Sequence, residues 1–213
     1  MAEVFWHENI ITREDREGLN GNKGCVIWFT GLSASGKSTI ANLLDYELHN
    51  RGFHSAVLDG DNIRHTLNAG PERLIERHEE AFAKRFGLGF SAQDREENIR
   101  RIGCVAKILC DLGIIAITAF ISPYQRDRAN ARAMVEENDF IEVFVNTPLE
   151  VCEERDPKGL YAKARKGELK GFTGIDDPYE IPDNPELILD GCRNPELLLE
   201  DVIAHLKIAG KIR

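Results

Sequence analysis

Along the chain, short apolar runs alternate with segments whose apolar residues recur at helical spacing. "CVIWFT" (25–30) is a continuous apolar run closed by Gly31, the pattern of a strand buried on both faces. In "STIANLLDYELHNRG", Ile40, Leu43, Leu44 and Leu48 share one helical face and Gly52 supplies the stop. The alternation continues with "SAVLDGD" as a strand ending in acids and "REENIRRIGCVAKILCDLG" as a helix with Ile99, Ile102, Val105, Ala106 and Leu109 on one side. "IIAITAFIS" follows as a strand, "QRDRANARAMVEEN" as a charged helix, "FIEVFVN" and "LILD" as strands, and "NPELLLEDVIAHLKIAG" as a closing helix. Such alternation predicts an α/β fold with a parallel sheet covered by helices on both faces.

Three segments stand outside this rhythm. Residues 1–23 are polar and predict a loosely packed lead-in with one short helix, ahead of a single domain over 24–213. Residues 69–87 place Leu74, Ile75, His78, Phe82 and Phe86 at helical spacing after Pro71, which predicts an inserted amphipathic helix of roughly four turns. Residues 152–185 are rich in Lys, Arg, Gly and Pro, as expected of a mobile lid in a phosphotransferase.

Composition narrows the classes. The 213 residues carry a net charge of −9, so a nucleic-acid partner is disfavoured, whereas a local Arg/Lys pocket for a small anion is not. The five cysteines form no C-x-x-C pair and read as reduced thiols. No apolar run is long enough to cross a membrane and "MAEVFWHENI" has no signal-peptide character, so a cytoplasmic location is expected.

The chemistry starts at "GLSASGKST". Gly31, Leu32, Ser33, Ala34, Ser35, Gly36, Lys37, Ser38 and Thr39 complete the pattern G-x-x-x-x-G-K-[ST] between an expected strand and an expected helix. There the backbone N–H groups and the helix N-terminus face phosphates, Lys37 reaches the β- and γ-phosphates of ATP, and Ser38 can ligate Mg²⁺. A GTP switch is disfavoured because no Asn-Lys-x-Asp follows the loop. A motor ATPase would show a strand ending in adjacent acids, whereas "AVLDGDN" ends in Asp59-Gly60-Asp61. One carboxylate can serve the metal and the other an acceptor hydroxyl, which favours a small-molecule kinase. Arg64, Arg95, Arg100 and Arg101 nearby suit a phosphate or sulfate group.

Taken together, "WFTGLSASGKST", "LDGDNIRH", "LGFSAQDREENIRRIG", "TAFISPY" and "RDPKGLYAKARKGELKGFTGID" resemble the adenylyl-sulfate kinases from about Gly24 to the C-terminus. The resemblance implies a P-loop NTPase fold of the nucleoside-monophosphate-kinase type with a late lid, and transfer of the ATP γ-phosphate to the 3′-hydroxyl of adenosine 5′-phosphosulfate (APS) with Mg²⁺. It further implies a homodimer and an ATP sulfurylase on a separate chain that supplies the acceptor. Carried onto this sequence, Asp61, Asn62, Ile63, Arg64, Phe90, Arg95, Glu96, Glu97, Asn98, Ile121, Ser122, Lys158, Gly171 and Phe172 serve the acceptor, with Phe90 and Phe172 on either side of its adenine. Asp61, Lys37 and Lys158 are the expected catalytic groups, Ser38 and Asp61 the Mg²⁺ ligands, and Arg155 a contact of the ATP adenine. Ser122 stands at the family's phosphoserine position. A serine with no base beside it is a weak nucleophile, so direct transfer with Ser122 as a substrate contact is the expectation here. The insertion at 69–87 departs from the family, in which "RHxLN" runs almost directly into "LGF". A related kinase for another nucleotide or small alcohol is the alternative, and a non-catalytic nucleotide-binding module a further one.

Overall fold

The computed structural model describes residues 3–5, 7 and 9–213. Five parallel strands form one sheet: β1 (Cys25–Thr30), β2 (Ser55–Asp59), β3 (Ile115–Ala119), β4 (Phe140–Asn146) and β5 (Leu187–Asp190), in the order β2-β3-β1-β4-β5. Each of the predicted strands is present. The continuous apolar run of β1 divides as strand geometry requires. Cys25, Ile27 and Phe29 enter one core with Ile40, Leu44 and Leu48, while Val26 and Trp28 enter the other with Ile99, Ile102 and Ala106. Both faces of the sheet are therefore covered, which is why its strands lack polar alternation.

The helices, in chain order, are α1 (Arg13–Asn20), α2 (Lys37–Asn50), α3 (Gly60–Arg64), α4 (Pro71–Leu74), α5 (Glu80–Phe86), α6 (Ala92–Asp111), α7 (Gln125–Arg132), α8 (Leu149–Arg155), α9 (Leu160–Arg165) and α10 (Pro195–Ile208). Helices α2 and α10 cover one face of the sheet, and α6 with α7 the other. Helix α6 starts early because Ser91 and Asp94 form a reciprocal capping box. Helix α7 stops at Arg132, short of the predicted 138.

Two expectations need correction. The described residues ahead of α1 are exposed, as a loosely packed lead-in would be, but α1 is not loosely packed: Glu17 is buried, pairs with Arg13 at 2.8 Å and Lys23 at 2.7 Å, and accepts from Gly24 N. Arg13 and Lys211 both grip Asp139, at the foot of β4, so α1 is anchored to the sheet and the C-terminal segment. The insertion is two short helices, not one. A straight helix over about nineteen residues would part its ends by about 28 Å. Here the ends meet, Leu88 N donating to Ala69 O at 3.1 Å, so the chain must turn back between α4 and α5. The outward side of α5 stacks His78 on Phe82 and Phe82 on Phe86, with centroids 4.4 and 4.6 Å apart.

Candidate active site

All the strands point their C-terminal ends the same way, and the candidate site lies along that edge, the usual ligand crevice of open parallel sheets. The loop after β1 curls under steric compulsion. Gly31 has φ +148°, and a Cβ there would lie 2.7 Å from Val145 O. Gly36, at φ +107°, then starts α2 with no side-chain cap, leaving its first N–H groups directed at the crevice. The Lys37 ammonium donates to the carbonyls of Gly31 and Leu32 at 3.0 and 2.6 Å. Burial pulls it down to about 8.

Two cavities open here. One, of about 660 Å³, runs along Ser33–Ile40 and is closed by Asn62, Arg155, Gly191 and Arg193. The other, of about 400 Å³, is walled by Arg64, Phe90, Arg95, Asn98, Ile121, Ser122 and Lys170–Thr173. They share Ser33, Ala34, Lys37, Ser38, Asp59, Asp61 and Lys158. A donor held in the first and an acceptor in the second would thus meet over two carboxylates and two ammonium groups.

The carboxylates divide the work. Asp59 Oδ2 accepts from Ser38 Oγ at 2.6 Å, and its Oδ1 accepts from Asp61 N at 2.9 Å, capping α3. Asp61 is turned outward and pairs with Lys158 of the lid. The lid itself is docked. Leu32 and Ala34 of the phosphate loop join Cys152, Tyr161, Ala164 and Phe172 in one apolar cluster, and Tyr161 OH donates to Ser33 O at 3.0 Å.

In the second cavity Arg64 donates to the carbonyls of Leu88 and Gly89 and lies 4.3 Å above the Phe90 ring. Arg95 ties Phe90 O, Thr173 Oγ1 and Gly171 O together at 3.0, 3.0 and 2.6 Å. Burial lowers Arg64 from its ordinary value, and the charge of Arg95 adds to it. The two guanidinium groups give this cavity a positive wall.

The adenylylsulphate kinase family model matches residues 23–190. The chain belongs to the adenylylsulphate kinase family. It is 57% identical over 190 residues to the adenylyl-sulfate kinase of Rhodopirellula baltica, covering 87% of this chain and 77% of that one. It is 50% identical over 211 residues to adenylyl-sulfate kinase 3 of Arabidopsis thaliana, covering 97% and 93%. Among solved structures it resembles the Mycobacterium tuberculosis APS kinase in complex with AMPPNP and APS, with TM-score 0.75, 46% identity and coverage of 87% and 99%.

Within this adenylylsulphate kinase fold, most residues singled out from the sequence converge, and some do not. Arg64, Phe90, Arg95, Asn98, Ile121, Ser122, Lys158, Gly171 and Phe172 line the second cavity. Phe90 is 65% exposed and Phe172 only 9%, the latter held edge-on by Tyr161 at 4.9 Å. Asn98 accepts from Asn68 at 2.8 Å. Asn62 and Thr39 line the first cavity. Glu96 and Glu97 line neither. Glu96 pairs with Arg126, while hydrogen bonds from Arg100 and Arg101 pull Glu97 down to about 2. Ile63 packs into the core beneath α6. Arg155 reaches Gly191 O at 2.8 Å and borders the first cavity.

Ser122 is 2% exposed. Its hydroxyl accepts from Trp28 Nε1 at 3.1 Å and donates to Thr30 Oγ1 at 3.0 Å. No His, Asp or Glu side chain is hydrogen-bonded to it among the described residues. Its backbone stands at φ +41°, a conformation costing a non-glycine residue about 1–3 kcal/mol. Asp59 as the partner of Ser38 was open in the sequence, where Asp61 took the metal role. The signal available there was its position as the last residue of the strand.

Proposed function

We propose that this kinase transfers the γ-phosphoryl group of ATP to the 3′-hydroxyl of adenosine 5′-phosphosulfate, giving 3′-phosphoadenosine 5′-phosphosulfate and ADP. The observation that carries this is the junction of the two cavities at Lys37, Ser38, Asp59, Asp61 and Lys158. ATP lies along the Gly31–Thr39 loop with its terminal phosphate toward Lys37. The acceptor's anionic group lies between Arg64 and Arg95, and its adenine on the Phe90 and Phe172 side. Asp61 accepts a hydrogen bond from the 3′-hydroxyl and takes its proton as the new bond to phosphorus forms. Lys37 and Lys158 offset charge on the transferred group, so catalysis is chiefly alignment and electrostatics.

Ser38 and Asp59 offer the hard oxygen donors that Mg²⁺ prefers, one hydroxyl and one carboxylate already in contact at 2.6 Å. They are the residues that would hold it, with Asp61 on the acceptor side of them. When bound, the ion would offset charge on the β- and γ-phosphates. Phosphoryl transfer is direct in this reading, with Ser122 as a wall of the acceptor pocket. The chain acts in the cytoplasm as a homodimer, downstream of an enzyme that joins sulfate to an adenylyl group. No helix among the described residues is long and apolar enough to cross a membrane.

The test is ADP release coupled to a dehydrogenase readout, with Mg-ATP and either APS or AMP as acceptor. Turnover with APS and none with AMP supports the reading. Equal turnover with both, or none with APS, rejects it.

A further inference from the structure

The segment from the end of β3 to α7 forms one wall of the acceptor cavity through Phe120–Pro123. That wall is under conformational strain at Ser122, so something must hold it. The holder lies one turn into α7. Arg128 is 2% exposed, and its planar fork spends three donors on three separate pieces of chain. Nε donates to Glu142 Oε1 at 2.7 Å, Nη1 to Ser122 O at 2.7 Å and Nη2 to Glu180 O at 2.8 Å. Glu142 belongs to β4, Ser122 to the acceptor wall, and Glu180 to the segment returning from the lid.

The lid's return segment is laced to the same wall by its own bonds. Glu180 N donates to Pro123 O at 2.8 Å, and Gln125 N donates to Glu180 Oε2 at 2.6 Å. Tyr179 lies beneath the Arg128 guanidinium, 5.9 Å from the ring centroid, and its hydroxyl is 2.9 Å from Thr30 Oγ1. Thr30 in turn accepts from Ser122. Arg128 is the group in direct contact with all of these elements at once.

We propose that Arg128 is a positioning residue for the acceptor. It holds the Ser122 wall and the lid's return segment at Tyr179–Glu180 as one rigid unit, so that the acceptor pocket is complete when the lid is docked. The arrangement needs a guanidinium. A lysine can neutralise Glu142 as a point charge, but it cannot present three donors in one plane to acceptors on three sides. The fold does not depend on the bond in the same way. Glu142 keeps a second cation, Arg132, at 3.3 Å, so replacing Arg128 leaves no isolated buried carboxylate.

This inference rests on the acceptor reading, and the unaltered enzyme tests that reading first: no turnover with APS overturns both. With that turnover in hand, Arg128→Lys is compared by steady-state kinetics, equilibrium APS binding and thermal unfolding. The expected result is an acceptor KM and Kd raised about 10- to 100-fold with the ATP KM within about twofold of the unaltered enzyme. Arg128→Ala should recover acceptor affinity in part when N-ethylguanidinium is added, and not when methylammonium is added. An unchanged acceptor KM in Arg128→Lys overturns the inference. So does a parallel rise of both KM values with a lowered Tm, which would mark Arg128 as a general support of the fold.

Discussion

The Ser38 hydroxyl donates to Asp59 at 2.6 Å, while Asp61, two residues on, pairs with Lys158 of the lid. The two acids of "LDGD" therefore face different partners: Asp59 the phosphate loop, Asp61 the lid. Their replacements should differ in kind. Asp61→Asn is expected to lower kcat by about 10²- to 10⁴-fold with ATP affinity nearly kept. Asp59→Asn should chiefly weaken Mg-ATP binding. Parallel kcat and nucleotide-titration measurements separate them, and identical profiles would remove the division of roles.

Ser122 is satisfied by Trp28 and Thr30, and among the described residues no base is hydrogen-bonded to its hydroxyl. Ser122→Ala should keep measurable turnover, with its main loss in acceptor KM. Rapid-quench analysis with labelled ATP should find no phosphate on the protein. A labelled serine that turns over at the catalytic rate would overturn direct transfer.

Arg95 bridges α6 to the lid through Thr173 and Gly171. Arg95→Ala should weaken acceptor binding and open the lid's basic stretch, Lys163–Lys170, to trypsin. The check is the rate of limited proteolysis with and without APS. Equal cleavage rates in variant and unaltered enzyme would show that the bridge does not hold the lid.

The insertion is closed at its root by the Ala69–Leu88 bond, and the acceptors of Arg64 lie beyond it, at Leu88 and Gly89. Replacing residues 71–86 by a short Gly-Ser turn should therefore leave the acceptor KM within about threefold of its starting value. Steady-state kinetics on the shortened chain decide this. A larger rise would mean that α4 and α5 themselves hold Arg64 in place.

Asp127 is 3% exposed, and among the described residues neither carboxylate oxygen has a hydrogen-bond partner, Arg126 Nε standing 3.7 Å from Oδ1. Burial, then the charge of Glu96, raises its pKa from the ordinary 3.8. The folded state thus resists deprotonation, so this group subtracts stability as pH rises from 3.8 through the raised value, and the loss is complete above it. Asp127→Asn should stabilise the protein at pH 7 by about 1 kcal/mol, a Tm gain of about 2–4 °C. The gain should vanish below pH 3.8, where both states carry the protonated acid. Thermal melts across that range provide the check.

The sequence by itself determined the alternation of strands and helices, the phosphate loop and the family. These are local properties: periods of two and 3.6 residues, and a loop whose glycines and lysine must be consecutive. It also named many of the residues that line the second cavity, because the motifs that carry them are contiguous. Tertiary structure decided what depends on distant chain segments meeting. The insertion folds back on itself because its ends must close at Ala69 and Leu88. Glu96 and Glu97 line neither cavity and pair instead with Arg126, Arg100 and Arg101. Asp59 takes Ser38 because β2 and the start of α2 end at the same edge of the sheet. Arg128 joins β4, the Ser122 wall and the lid across 52 residues of chain, a relation that no spacing along the sequence encodes.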